Sequence, residues 1–378
     1  MGTKKLLFVV NVDWFFISHR LPIALLAIQK GFEVHLACAL TDKRDYILSL
    51  GVKLHEIPFS RSGQGLLNEL YTLKQVYRVL TKVKPDVLHT VTIKPVLYGG
   101  IMARLARVPA VVAAISGLGL VFVADDFKTK VTKTIATGLY RLAFGHRNMK
   151  VIFQNPSDRQ SLVDSIQLPS HKIVMIKGSG ADLKEYDFKL EPKGLCTVVM
   201  ASRLLKEKGV YQFVEAANIL KLKNVAVQFQ LVGEPDPGNP NSVSEFELEQ
   251  WKDEGTVKIL GYRSDISTVF SNSNIVALPS FYGEGLPKVL IEAAACGRPI
   301  ITTDNPGCKE ALIEGETGLV VPVKDATKLA EAIESLVVDN SRRVLMGQRA
   351  RKFAEAEFDV NTVVKKHLDI YSELIRSS

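Results

Sequence analysis

The residues best suited to chemistry gather after one apolar run. Pro279-Ser280-Phe281-Tyr282-Gly283-Glu284-Gly285-Leu286-Pro287 follows the β-branched stretch 275–278 and precedes a helical pattern that ends near Gly297. A strand, a glycine-lined loop and a helix start form a setting for a phosphate. Gly283 and Gly285 let backbone N–H groups come close, Pro287 suits a first helical turn, and the helix dipole favours negative charge there. Seven residues separate Glu284 from Glu292, which puts one carboxylate at the helix mouth and another about two turns further in. Both are acceptors for hydroxyl groups such as those of a sugar and a ribose. Solvated glutamates beside an ordinary glycine turn are the bland alternative. The combination of strand, loop and proline-started helix favours a site.

A second constellation, Ala201-Ser202-Arg203-Leu204-Leu205-Lys206-Glu207-Lys208-Gly209, follows the run 195–201. Arg203 offers a fork of donors and Lys208 a point charge, the pair of cations that neutralises a departing nucleoside diphosphate. Solvated surface is the default for a basic loop, but its place at a strand end weighs toward ligand binding. In the first half, His89 closes the run 86–90 and Lys94 follows it. His89 reads equally as a group facing a cleft and as a hydrogen-bonded structural histidine. His19 and Arg20 stand at the start of the first helical pattern, placed to meet an acceptor diphosphate or to cap structure. Trp14, Phe15 and Phe16 form an aromatic cluster for which core packing is the default.

Positioning these residues requires a repeated scaffold. Short β-branched runs at 5–10, 33–39, 53–57, 86–90, 110–115, 150–153 and 172–176 alternate with helical patterns such as 68–82, whose apolar residues fall at helical spacing. The alternation dissolves in the charged, proline-containing stretch 182–194. It restarts with runs at 195–201, 226–232, 257–260, 275–278, 298–302 and 319–321. Alternating strands and helices imply parallel sheets. The expectation is an α/β protein with two doubly wound, Rossmann-like domains facing across a cleft. Their bounds are 1–181 and 194–358, with a C-terminal helix over 359–378 that crosses back to the first domain. Ligands belong beyond the carboxyl ends of the strands.

With 378 residues, 47% hydrophobic and 23% charged, the chain has ordinary globular composition and room for two or three domains. Its four cysteines are scattered and form no CxxC pair, which indicates neither a disulfide framework nor a zinc site. Asp125-Asp126 ends an apolar loop rather than forming a metal-binding DxD motif, and no metal or other cofactor is expected. The apolar run 6–10 is broken by Asn11 and Asp13 before it reaches signal-peptide length. The uncharged stretch 108–124 is too short and too glycine-interrupted to cross a bilayer. The net charge of +8 is one-sided: residues 1–180 hold 24 Lys and Arg against 11 Asp and Glu, while the remainder is net acidic. Lys82, Lys84, Arg104, Arg107, Lys128, Lys130 and Lys133 surround the apolar stretch, suiting this half to an anionic membrane surface. Interleaved basic and aromatic residues of the nucleic-acid-binding kind are not found, so no nucleic-acid partner is expected. No GxGxxG opens the helix after the first strand, which argues against a dehydrogenase.

The Glu284/Glu292 spacing, Ser202-Arg203-Leu204 followed by Lys208-Gly209, and Gly178-Ser179-Gly180-Ala181-Asp182 together resemble the retaining glycosyltransferases of family 4, which have the GT-B fold. The stretch from Val9 to Arg20, VVNVDWFFISHR, further resembles the subgroup that adds N-acetylgalactosamine or related sugars to polyprenyl-diphosphate-linked saccharides in bacterial glycan assembly. The resemblance implies transfer of N-acetylgalactosamine, N-acetylglucosamine or galactose from a UDP-sugar to a lipid-linked saccharide, with retained configuration. It implies an enzyme peripherally attached to the cytoplasmic face of the cell membrane.

By the same resemblance Glu284 contacts the donor sugar, Glu292 the ribose, and Arg203 with Lys208 the diphosphate. Gly283, Gly285 and Leu286 complete the donor loop, and backbone near Gly261 and Arg263 frames the base. Asp13 stands where many members carry a Gly-Gly pair, and Ser116 where many carry a histidine. With His19, Arg20 and Lys94 these are the acceptor-side candidates, and His89 joins Glu284, Arg203 and Lys208 as a catalytic candidate. A non-hydrolysing UDP-sugar epimerase shares the architecture and is the enzymatic rival. A basic membrane- or nucleic-acid-binding protein without catalysis is the rival of another class.

Overall fold

A computed structural model describes residues 2–59, 65–118, 127–236, 238–281 and 283–377. The chain divides into two compact units. Unit 1 comprises Met1–Ser179 with Asn361–Ser378, and unit 2 comprises Gly180–Val360.

Unit 1 contains strands β1 (Lys5–Val12), β2 (Glu33–Ala39), β3 (Lys53–Glu56), β4 (Val87–Val91), β5 (Ala110–Ile115), β6 (Met149–Phe153) and β7 (Ile173–Met175). They form one parallel sheet in the order β3-β2-β1-β4-β5-β6-β7. Between them lie helices α1 (Asp13–His19), α2 (Leu21–Gln29), α3 (Arg44–Ser49), α4 (Leu66–Val83), α5 (Ile93–Leu105), α6 (Phe127–Ala143) and α7 (Pro156–Ile166).

Unit 2 contains β8 (Cys196–Ala201), β9 (Val227–Val232), β10 (Lys258–Gly261), β11 (Ile275–Leu278), β12 (Ile300–Thr303) and β13 (Gly318–Val321), in the order β10-β9-β8-β11-β12-β13, again all parallel. Its helices are α8 (Val210–Leu222), α9 (Glu245–Asp253), α10 (Ile266–Ser271), α11 (Lys288–Ala295), α12 (Ala326–Val338) and α13 (Asn340–Glu357), and α14 (Val360–Arg376) ends the chain.

Each expected strand run forms a strand whose ends lie within two residues of the expected ones. The reason is burial on both faces. Every residue of β4, β5, β8, β11 and β12 is buried, the condition under which parallel strands read as continuous apolar runs. In both sheets the chain reverses its winding direction beside the first strand, between β1 and β4 and between β8 and β11, and this is where doubly wound sheets hold their ligands.

The stretch 182–194, read from the sequence as a linker, lies within unit 2 and is pinned there. Arg343 forks onto Glu191 at 2.8 and 2.9 Å, and Arg298 donates to the Lys189 carbonyl at 2.9 Å. Arg351 donates to the carbonyls of Tyr186 and Ala295 at 2.9 and 2.7 Å. Charge and proline mimic a linker in composition, but buried arginines from the body of the unit satisfy its backbone.

Candidate active site

In unit 2 the two chemistry-bearing loops leave the adjacent strands β8 and β11, so the switch point brings them together. Ala201 ends β8, and the chain turns through Arg203 to a single 3-10 turn, Lys206–Lys208. Gly209 follows at φ +82° and caps α8. A Cβ on Gly209 would lie far inside 3.0 Å of the Pro279 carbonyl, so only glycine lets the Lys208 turn sit against the start of the 279–287 loop. Phe281 N–H donates to the Glu207 carbonyl at 3.0 Å and stitches the loops together.

That stitching delivers the side chains. Lys208 Nζ forms an ion pair with Glu284, and both side chains are largely buried. Ser280 Oγ lies 3.0 Å from the same Glu284 carboxylate. Below them, Gly307 at φ +83° packs under the backbone of Glu284 and Gly285, leaving no space for a Cβ, and Thr303 Oγ1 donates to the Ser280 carbonyl. Pro287 is the N-cap of α11 rather than its first residue.

Glu292 is buried within α11 and paired with Lys288 one turn earlier at 2.8 Å. Tyr186 lies beside Glu292, and burial together with that carboxylate pushes the phenol well up. Arg203 is half-exposed and only loosely paired, with Asp236 at 3.4 Å. Gly261 ends β10 at φ +64°, and its carbonyl accepts from Gly233 N–H at 2.9 Å. Arg263 is bound by Asp265 at 2.7 and 2.6 Å on the surface, so its backbone rather than its guanidinium is available to a base.

Sequence reasoning quoted Gly209 without giving it a role, and missed Gly233, Gly307, Lys288, Thr303 and Tyr186. The Asn305-Pro306-Gly307 turn was the one legible signal among them. Tyr282 and Asp125-Asp126 lie outside the described residues. Among the described residues, no group of three or more His, Cys, Asp or Glu is arranged to hold a metal ion.

In unit 1 the structure redirects most of the acceptor-side candidates. Asp13 is fully buried and its carboxylate is consumed: it accepts from Trp14 N–H at 2.7 Å, Thr41 N–H at 2.6 Å and Thr41 Oγ1 at 2.8 Å. It ties the end of β1 to the chain after β2. His19 stacks face to face on Phe15 at 4.1 Å. Lys94 is paired with Glu69 at 2.7 Å, and Tyr98 bonds the same carboxylate.

His89 does not face an open cleft. It is sealed beneath α14, bonded through Nδ1 to Tyr371 and stacked with His367 at 5.6 Å. Arg20 lies in the same closed pocket, its Nη1 on the His19 carbonyl at 2.8 Å. The sequence could not register this because α14 lies more than 250 residues away along the chain.

The pocket makes a pH prediction. Burial lowers His89 well below the ordinary imidazole value and takes His367 down to about 3, with Arg20 adding to both shifts. Arg20 itself is lowered to about 10 by burial. Because the unfolded chain binds these protons first, the stability they confer is complete above about pH 6.5 and is lost as pH falls toward about 3. Thermal unfolding should show the melting temperature dropping through that window, with a shallower drop in His367→Leu. An equal slope in that variant would remove the assignment.

With this geometry in place, the comparisons are direct. A family model described as "Glycosyl transferases group 1" matches residues 183–353, and one described as "Glycosyl transferase 4-like" matches residues 5–155. The chain is 30% identical over 376 residues, 95% of this chain and 96% of the relative, to N,N'-diacetylbacillosaminyl-diphospho-undecaprenol alpha-1,3-N-acetylgalactosaminyltransferase of Campylobacter jejuni. It is 26% identical over 361 residues, 91% of this chain and 90% of the relative, to UDP-Gal:alpha-D-GlcNAc-diphosphoundecaprenol alpha-1,3-galactosyltransferase of Escherichia coli. Among solved structures, sucrose-phosphate synthase of Thermosynechococcus elongatus superposes with TM-score 0.81 at 20% identity, covering 99% of this chain and all of that one. Anabaena HepE in complex with UDP-glucose superposes with TM-score 0.75 at 19% identity, covering 99% and 100%.

The two sheets, their switch points and the paired loops define a GT-B sugar-transferring enzyme. The chain belongs to the group 1 and family 4-like glycosyltransferases.

Proposed function

We propose that this enzyme transfers a hexose or N-acetylhexosamine from a UDP-sugar to a hydroxyl of a polyprenyl-diphosphate-linked saccharide, retaining the anomeric configuration. One observation carries the reading: the buried Lys208 ammonium, Glu284 and the α11 N-terminus converge at the switch point of unit 2. The names of the Campylobacter and Escherichia relatives support a lipid-linked acceptor, and the UDP-glucose complex of the Anabaena protein supports a UDP donor. As the bond to the anomeric carbon breaks, negative charge collects on UDP, where Lys208, Arg203 and the helix start stabilise it. Glu284 holds a hydroxyl of the donor sugar, Glu292 the ribose, and the backbone at Gly261 and Arg263 the uracil. The leaving phosphate takes the acceptor proton on the same face, so neither a protein base nor a metal enters the scheme.

Incubating the protein with a panel of UDP-sugars and a polyprenyl-diphosphate-linked N-acetylhexosamine should yield UDP and a lipid-linked disaccharide. Epimerised UDP-sugar formed without acceptor would replace this reading with its rival.

The acceptor places unit 1 at a lipid surface. No described helix is long and apolar enough to cross a membrane, and α4 has the character of one that lies on it. Its inner face buries Val76 and Leu80, while Leu67 is 82% exposed and Leu70, Tyr71 and Tyr77 stand in solvent beside exposed Lys74, Arg78 and Lys82. Flotation with vesicles containing phosphatidylglycerol should carry the protein upward, with roughly tenfold weaker association for neutral vesicles or for the Leu67→Ser/Leu70→Ser/Tyr71→Ser variant. Equal flotation in all three cases would remove α4 from the membrane.

A further inference from the structure

Lys208 and Glu284 are joined to each other, although the donor calls on them separately. The ammonium belongs to the diphosphate and the carboxylate to a hydroxyl of the sugar, yet the two side chains form an ion pair that is largely screened from solvent. An ammonium is a compact point charge. If it kept Glu284 while meeting a diphosphate, it would hold a carboxylate against a doubly charged anion in a partly dehydrated site, where like charges repel more strongly than in water. The diphosphate must therefore displace the carboxylate. Removing either partner from such a pair leaves the other needing a replacement.

Ser280 supplies the replacement for Glu284. It is fully buried at the start of the 279–287 loop, and its Oγ lies 3.0 Å from Glu284 Oε1 and 3.1 Å from the Glu207 carbonyl. Both of these neighbours only accept, and a hydroxyl has a single proton, so Ser280 serves one of them at a time. The Glu207 carbonyl also accepts from Phe281 N–H at 3.0 Å, so turning the Ser280 proton to Glu284 leaves no buried acceptor unpaired. The Ser280 backbone is itself anchored, because its carbonyl accepts from the buried Thr303 Oγ1. A fixed hydroxyl with a proton to spare thus stands beside the carboxylate that Lys208 gives up.

We propose that donor binding is an exchange at Lys208: the diphosphate takes the ammonium from Glu284, the released carboxylate turns to a sugar hydroxyl, and Ser280 is the positioning residue that holds it there. The inference rests on the proposed UDP-sugar reading of this site. Its consequence is an order of recognition. The diphosphate switches on the sugar contact, and a sugar without a diphosphate meets a carboxylate engaged by Lys208.

The test is calorimetric titration of the full-length protein with UDP and with the best bound of UDP-N-acetylgalactosamine, UDP-N-acetylglucosamine and UDP-galactose, with no acceptor present. Glu284→Gln keeps the shape and removes the charge that UDP displaces, so it should bind UDP about tenfold more tightly than the wild type. Weaker repulsion alone would also tighten UDP, and Lys208→Met separates the two causes. In that background Glu284→Gln should change the Kd for UDP by no more than about twofold, because no ammonium remains to be released. Ser280→Ala should bind UDP as the wild type does and the UDP-sugar about tenfold more weakly.

UDP affinity in Glu284→Gln equal to or below the wild-type value overturns the exchange, as does a tenfold gain that persists without Lys208. Ser280→Ala that binds the UDP-sugar like the wild type, or that weakens UDP and UDP-sugar alike with a lowered melting temperature, removes Ser280 from the positioning role and leaves it a structural link between the loops. A wild-type protein that binds no UDP ends the UDP-sugar reading itself, and the exchange with it.

Discussion

Lys208→Met lowers kcat by about 10²–10³ while the fold survives. The size follows from where the charge sits. Lys208 and Glu284 are both largely screened from solvent, and a preorganised donor aimed at charge that develops in the transition state is worth about that factor when deleted. Arg203 has the same formal charge but is half-exposed and held only by a 3.4 Å contact with Asp236, a surface pair of small net worth. Arg203→Ala should therefore cost less, about tenfold, and should appear chiefly in the KM for UDP-sugar. Because Lys208 and Glu284 are one ion pair, their effects should not add: Lys208→Met/Glu284→Gln should retain clearly more activity than the product of the single losses. The measurement is UDP release in steady state, with melting curves to confirm folding. If Lys208→Met transfers sugar at the wild-type rate, the leaving group is stabilised elsewhere.

Gly209→Ala should be among the most damaging single-methyl changes in unit 2, with Gly233 and Gly307 equally crowded. Two terms combine. A left-handed alanine costs about 1–2 kcal/mol, and at φ +82° Gly209 is in that region. The added Cβ would also overlap the Pro279 carbonyl, and relieving such overpacking costs about 1–3 kcal/mol more. For a unit of this size the sum lowers the melting temperature by roughly 5–20 °C. Gly255 is the control, since it too has positive φ, +61°, but nothing within 4 Å of its Cβ position, so Gly255→Ala should carry the strain term alone. Activity should fall in Gly209→Ala beyond what instability explains, because separating the loops pulls Lys208 away from Glu284. Matching melting temperatures for the two variants would show that the close approach at Gly209 is not needed.

Residues local to a motif were legible, and residues that act from a distance were not. Glu284, Lys208 and Arg203 carry their meaning in spacing and in their place after a strand. Lys288, which pairs with Glu292, and Tyr186, which lies beside it, have no such signature. Their relevance comes from the packing of one loop on α11 and from the pitch of that helix. Asp13 shows the opposite error: a carboxylate near a strand end looks available for a ligand, yet three donors from the chain saturate it. Whether a polar group is free or satisfied depends on partners elsewhere in the chain, and sequence order does not reveal them.

The alternation of apolar runs and helical patterns by itself determined two parallel sheets, because a strand covered on both faces must be apolar along its length. Motif spacing by itself picked out the loops after β8 and β11, which the fold joins at one switch point. The tertiary structure alone decided which of these groups remain available. It closed His89 and Arg20 under α14 and drew the charged stretch 182–194 into unit 2. Burial and hydrogen-bond satisfaction are properties of neighbours in space, and those neighbours exist only once the chain has folded.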